Sequence, residues 1–269
     1  MSTPTDEESP PLSGSPPGSE HPRPAWYLRH AGLLAVTMIV LVVLFAVGAI
    51  ALLHRAAPAA SPAGTSTAPV RATGIPDTVS TSVADLMGLS PVPTTAAPPF
   101  TLTDQAGRTV SLESLRGHPV VLEFMDPNCV DICPIVSQEF VDAAKDLGPA
   151  GRDVVFLGIN VNPFHTDVAS MATYSKAHGL DAVATWHFLT GPSSDLAPVW
   201  GDYNVTVSAP NPSADVIHTS VVYFIDPAGQ ERYVAFPMVD HKADGSSYLP
   251  VDQTASWGRG IALVARSMD

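Results

Sequence analysis

The 269-residue sequence predicts an α/β fold, a mixed sheet with helices on both faces, preceded by one transmembrane helix. Three observations predict it. Residues 119–124 (PVVLEF) and 153–161 (DVVFLGINV) are near-continuous apolar runs, the pattern of strands buried on both faces. Helix-like segments alternate with these runs, and an antiparallel hairpin and a closing helix come after them, which calls for a covered mixed sheet. Residues 33–53 carry no charge over 21 positions, enough to cross a bilayer as a helix.

Residues 1–30 read as a disordered cytoplasmic tail, because Pro, Ser, Gly and acidic side chains leave almost nothing to bury. Trp26 and Tyr27 stand just before the apolar span, where aromatic rings favour the interface. Arg23, Arg29 and His30 lead it, against Arg55 alone behind, so the N-terminus is expected in the cytoplasm and the rest outside. Residues 56–60 (AAPAA) resemble a signal-peptidase site. The apolar run is nevertheless longer than a signal h-region and the leading segment is long, so residues 31–54 read as a retained single-pass anchor in the cell membrane. Residues 55–96 are rich in Pro, Ala, Ser and Thr and read as a linker, with a short helix near 83–87. The compact domain is expected over residues 97–269, long enough for a proper core.

Within that domain, residues 100–104 and 109–112 flank a Gly-bearing turn and read as a hairpin, followed by a helical turn closed by Gly117. A strand at 120–125, a helix at 135–147, a strand at 153–161 and a helix at 167–178 come next. A strand at 186–190 and a helix at 195–203 continue the alternation. A Pro-rich loop, 208–215, leads to strands at 220–225 and 232–236 around the turn 226–229, and a helix at 251–267 ends the chain. A net charge of −13 and few lysines argue against nucleic-acid binding. On an exported domain such an acidic surface mainly confers solubility.

The two cysteines of the chain, Cys129 and Cys133, lie in FMDPNCVDICP, residues 124–134, between the first central strand and its helix. That placement makes a thioredoxin-like fold the economical choice. At a helix N-terminus the free N–H groups and the macrodipole favour thiolate, the form that attacks disulfides and binds soft metals. Three intervening residues put the sulfurs about one turn apart on one helix face. There they can close a disulfide or chelate one ion. His218 is the histidine that stands out, at the end of the Pro-rich loop and the start of the next strand, an entry that lies beside the cysteine turn in such a sheet. Two sulfurs and one nitrogen suit Cu(I) and, with further ligands, tolerate Cu(II). His118, His178 and His187 read as packed or solvated rings, Met125, Met171 and Met238 as core filler, and Asp126 and Asp131 as solvated turn residues.

Over residues 97–267 the chain resembles the SCO/SenC family of membrane-anchored copper proteins that assist cytochrome c oxidase assembly. Four stretches carry the resemblance: the C-x3-C-P turn of residues 124–134, INVNP at 159–163 followed by Tyr174, WHFLTG at 186–191, and VIHTS at 216–220 running on to DPAG at 226–229. The resemblance implies that Cys129, Cys133 and His218 bind one copper ion, Cu(I) or Cu(II). It implies delivery to the CuA site of a cytochrome c oxidase subunit, with other copper chaperones or thiol–disulfide proteins as further partners. The chain departs from the family pattern at Pro127, Val130, Asn162 and Ile217, none of which is a proposed ligand. The same cysteines also fit an anchored thiol–disulfide oxidoreductase acting on exported proteins, with Cys129 attacking, Cys133 resolving and no need of His218. A metallochaperone is the leading reading. A peroxide reductase fits less well, since Pro127 occupies its usual threonine position. A structural disulfide is the plainest alternative.

Overall fold

The structure, a computed structural model of the chain, describes residues 73–268. The N-terminal tail and the apolar span at 33–53 lie outside the described residues. Among the described residues, no helix is long and apolar enough to cross a membrane.

Helix α1 (Thr81–Met87) starts where the Ser80 hydroxyl accepts the Val83 N–H and stops at Gly88, whose φ of 55° is the left-handed conformation that glycine adopts freely. Strand β1 (Ser90–Ala96) follows, then the hairpin of β2 (Thr101–Thr103) and β3 (Thr109–Ser111). Strand β4 (Val120–Met125), helix α2 (Cys133–Leu147), strand β5 (Val155–Asn160), helix α3 (Val168–Ala177), strand β6 (Trp186–Leu189) and helix α4 (Ser193–Asp202) succeed one another. A short ribbon pairs β7 (Val207–Ser208) with β8 (Ile217–His218). Strands β9 (Val222–Ile225) and β10 (Gln230–Ala235), a second ribbon of β11 (Asp240–His241) and β12 (Ser247–Tyr248), and helix α5 (Val251–Arg266) complete the order.

One sheet organises these elements, with strand order β1-β10-β9-β4-β5-β6. β4 runs parallel to β5, and β5 to β6, while β9 pairs antiparallel with β4 and β10 antiparallel with β9. All six residues of β4 and all six of β5 are buried, as their near-continuous apolar runs require when helices cover both faces. Val121 and Met125 of β4 pack with Val136 and Phe140 of α2 and with Trp257 and Ile261 of α5. Leu122 and Phe124 face the other way, into a core with Leu102, Leu196, Trp200 and Tyr203. Each large side chain so buried contributes on the order of 1.5–3 kcal/mol. Helices α2 and α5 approach closely at Gly258, where a Cβ would stand 2.8 Å from Asp142 Cβ and 3.0 Å from the Glu139 carbonyl oxygen.

The linker expected to reach residue 96 ends earlier. Strand β1 hydrogen-bonds to β10, and α1 lays Ala84 and Met87 into the core beside α5. Pro91 and Pro93 hid the strand in the sequence, yet an edge position tolerates proline because one side of the strand has no ladder to feed.

Candidate metal centre

β4 ends at Met125 and the chain turns at Asp126. The Asp126 carboxylate accepts the Asn128 N–H (2.9 Å) and its carbonyl accepts the Cys129 N–H (3.1 Å), so an Asx turn sets Cys129 at the carboxyl end of the central strand. Helix α2 starts at Cys133 with Pro134 in its first turn, a position where a missing N–H is no loss. Its N-cap, Ile132, makes no side-chain cap bond, so the first N–H groups are open to another acceptor. Cys129 fills that role: the Cys133 N–H donates to its Sγ at 3.4 Å. Sequence spacing placed both sulfurs on one helix face from a helix beginning at 135. The helix instead begins at Cys133, and Cys129 folds back over its first turn from the loop.

Both cysteines are free thiols, Cys129 half-buried and Cys133 only 2 % exposed. The Cys133 thiol donates to Cys129 and lowers its pKa to about 7; the N–H groups of Cys133 and Asp131 add to this, while burial and the Asp126 charge oppose it. Cys133 moves the opposite way, well above the usual thiol range, because its proton is held by Cys129 and its surroundings are dry. The pair is therefore divided in role. Cys129 is the reachable thiolate and Cys133 the guarded thiol. Ser137 fastens this turn from below, donating to the Cys133 carbonyl (2.8 Å) and sharing a hydrogen bond with the Tyr174 hydroxyl (3.0 Å).

His218 sits on β8, opposite Val207, in its own two-residue ribbon rather than at the start of β9. Its Nδ1 lies 3.0 Å from the Thr219 carbonyl. A carbonyl only accepts, so Nδ1 carries the proton and Nε2 keeps a lone pair. Burial holds the pKa of His218 below its ordinary value, which keeps the ring in the neutral form that ligates metals.

Cys129 and His218 line one cavity of about 520 Å³, walled by the turn from Asp126, by Asn162 and by the loop that carries His218. Cys133 stands behind Cys129 and is not part of the lining. Among the described residues, no three His, Cys, Asp or Glu side chains are gathered closely enough to hold a metal ion as they stand. In kind the donors suit a soft ion, two sulfurs and an imidazole nitrogen. The sulfurs come from the cysteine turn and the first residue of α2, and the nitrogen from the β7–β8 ribbon, so the donors stand on separate elements.

Other expectations separate cleanly. His187 Nδ1 is fixed 3.0 Å from Asp104 Oδ2, His118 Nδ1 lies 3.0 Å from the Asp153 carbonyl, and the His178 ring lies against Tyr174; none lines the cavity. Met125 and Met171 are buried, but Met238 is 62 % exposed, because it falls in the loop beyond β10 rather than in the strand. Asp131 is exposed, whereas Asp126, read as solvated, is 5 % exposed. Its partner is Asn162, whose amide donates to Asp126 Oδ1 at 3.0 Å and whose Oδ1 accepts the N–H groups of Phe164 and His165. The signal for that brace was the pair Asn160 and Asn162 at the end of an apolar strand. Glu123 also escaped notice. It lies in the middle of β4, accepts the Ser220 hydroxyl at 2.8 Å, and is pushed up to about 8 by burial. Its Oε2, like that of the buried Glu139, has no hydrogen-bond partner.

Comparison with known proteins agrees with this architecture. The SCO1/SenC family model matches residues 90–243. An SCO1 protein homolog of Bacillus subtilis is 31% identical over 134 residues, which is 49% of this chain and 69% of that protein. A mitochondrial SCO2 homolog of Bos taurus is 32% identical over 136 residues, 48% of this chain and half of its own length. Among solved structures, copper-bound ScoI of Bradyrhizobium japonicum is 24% identical with a TM-score of 0.50, covering 65% of this chain and all of that one, a likeness of fold. The family match spans more than half of the sequence and takes in the cysteine turn, the asparagine brace and His218 alike: this chain belongs to the SCO1/SenC family.

Proposed function

We propose that the protein binds one copper ion through Cys129, Cys133 and His218 and delivers it to the CuA-bearing subunit of cytochrome c oxidase during assembly. The observation that carries this reading is the shared cavity, whose lining holds both a reachable thiol of lowered pKa and an imidazole with a free Nε2. Copper transfer needs tight binding together with exchange of ligands one at a time. Donors held on two separate elements suit that, since His218 can leave with its ribbon while the sulfurs keep the ion. Residues 33–53 supply the membrane anchor in this reading, with the domain on the outer side and other copper chaperones or thiol–disulfide proteins as upstream partners. A disulfide of a thiol–disulfide partner can take two electrons from the pair and leave as two thiols while Cys129 and Cys133 close into a disulfide; this removes both soft donors, so the redox state of the pair gates loading.

The test is a Cu(I) titration of the reduced full chain against a competing chelator, beside His218→Ala and the double Cys129→Ser/Cys133→Ser variant. One tightly held equivalent is expected, weakened by His218→Ala and lost without the cysteines. A second reading, the anchored thiol–disulfide oxidoreductase, is favoured by the lowered pKa of Cys129 and its opening to the cavity. Weak copper binding indifferent to His218, accompanied by disulfide exchange, selects it instead.

A further inference from the structure

Asp126 lines the same cavity as Cys129 and His218, and the copper reading gives it no part. Its side chain is 5 % exposed. What exposure it keeps is toward the cavity it lines. Oδ1 has two, the Asn128 N–H (2.9 Å) and the Asn162 amide (3.0 Å). Oδ2 has none among the described residues. No Lys or Arg lines the cavity, and the neutral His218 presents a lone pair rather than a proton. The lining of one cavity therefore carries a sulfur, an imidazole nitrogen and a carboxylate oxygen, all electron-pair donors that stand too far apart to share an ion as they are, with no Lys or Arg in the lining to balance them. Two braced contacts on Oδ1 hold the carboxylate in one orientation and leave Oδ2 as its open donor, which is how ligating carboxylates are commonly supported.

We infer that Asp126 Oδ2 is a further metal donor of this site, added to Cys129, Cys133 and His218, and that it shifts the site toward divalent ions. The inference rests on the copper reading above and deepens it. Carboxylate is a hard ligand: it adds little to a soft monovalent ion and much to a divalent one. Asp126 is then the residue that decides which copper oxidation state the site retains, with the sulfurs serving both.

The experiment uses the reduced full chain under anaerobic conditions with two probes, Cu(I) and Co(II), the second a divalent ion that does not oxidise thiols. Asp126→Asn keeps an Oδ1 acceptor for the Asn128 N–H and removes the charge. It is expected to weaken Co(II) binding by about 10- to 100-fold, the usual consequence of disturbing a ligand shell, and to leave Cu(I) binding within about threefold. Asp131→Asn and Asp215→Asn, exposed acids of the same cavity wall, are expected to change neither ion by more than about twofold, since they add only screened charge. Equal losses for both ions, no loss for Co(II), or equal effects from the exposed acids overturn the inference while the copper site stands. Failure of the wild type to bind either ion overturns both. Should Asp126→Asn fail to fold by circular dichroism, the wild type decides through its carboxylate infrared bands: a shift on adding Co(II) and none with Cu(I) supports the inference, and no shift ends it.

Discussion

Replacing Glu123 with glutamine removes a titration that the fold makes expensive. The carboxyl lies in the central strand, completely buried, with one oxygen hydrogen-bonded to Ser220 and the other without a partner. Burial moves its pKa from about 4.5 in the unfolded chain to about 8 in the folded one. Below pH 4.5 both states hold the proton and nothing is lost. Between 4.5 and 8 only the folded state holds it, so stability falls as pH rises, and above 8 the fall levels off. At about 1.4 kcal/mol per pH unit, that window is worth on the order of 5 kcal/mol, a large share of a typical domain's stability. In Glu123→Gln the amide oxygen still accepts the Ser220 hydroxyl, and the side chain has no proton to lose. Urea unfolding of the reduced protein at steps from pH 5 to 8.5, followed by tryptophan fluorescence, measures the effect. The wild type is expected to lose several kcal/mol across that range and Glu123→Gln to lose markedly less, by about one proton in the slope. Glu139, also buried and raised, keeps a residual slope in the variant. Identical slopes for the two proteins refute the reasoning, because they mean that Glu123 is ionised or solvated in the fold.

Two further outcomes follow from the same geometry. Alkylation of Cys129 by iodoacetamide is expected to be half-maximal near pH 7, and Cys133→Ala, which removes the donating thiol, moves that midpoint upward; an unmoved midpoint shows that the neighbouring thiol is not the cause. Gly258→Val drives side-chain atoms into the α2 backbone, with Glu139 O at 3.0 Å and Ala143 N at 3.1 Å from the first carbon, and should destabilise by about 2–3 kcal/mol in urea melts with little change in the slope m.

The sheet was legible because burial on both faces writes itself as near-continuous apolar runs, and β4 and β5 stand within a residue or two of where those runs fall. That Cys129 and His218 fall on one cavity was legible for a different reason, since rare residue types at element ends stand out against their surroundings. What the sequence hid was hidden by context. Strand β1 is mostly exposed and carries two prolines, so neither alternation nor propensity marks it; only its pairing with β10 makes it a strand. Asp126 looked like an ordinary turn residue because its burial depends on Asn162, 36 positions away and brought in by β5. Glu123 was concealed inside the pattern that identified β4, one charged residue among apolar neighbours, where the strand signal outweighs the single exception.

The burial of Cys133 also bears on how an ion or a disulfide would pass through the site. An incoming ligand or thiol meets Cys129, which opens to the cavity, and cannot reach Cys133 without disturbing the first turn of α2. That turn is pinned by Ser137 and Tyr174 from the core side. Attack on the pair is therefore ordered, with Cys129 exchanging first and Cys133 last. For a metal ion, the order means that the sulfur with the lowered pKa binds early, at little cost in protons, and that the guarded thiol must give up its proton before the ion is fully held. For a disulfide, the same order makes Cys129 the sulfur that a partner attacks and Cys133 the leaving thiol. Because a high-pKa thiolate is a poor leaving group, exchange by that route is slow. The arrangement that hinders thiol exchange does not hinder metal binding to the same degree, since a bound cation itself displaces the Cys133 proton. On this argument the buried second cysteine tilts the site toward holding an ion rather than exchanging disulfides.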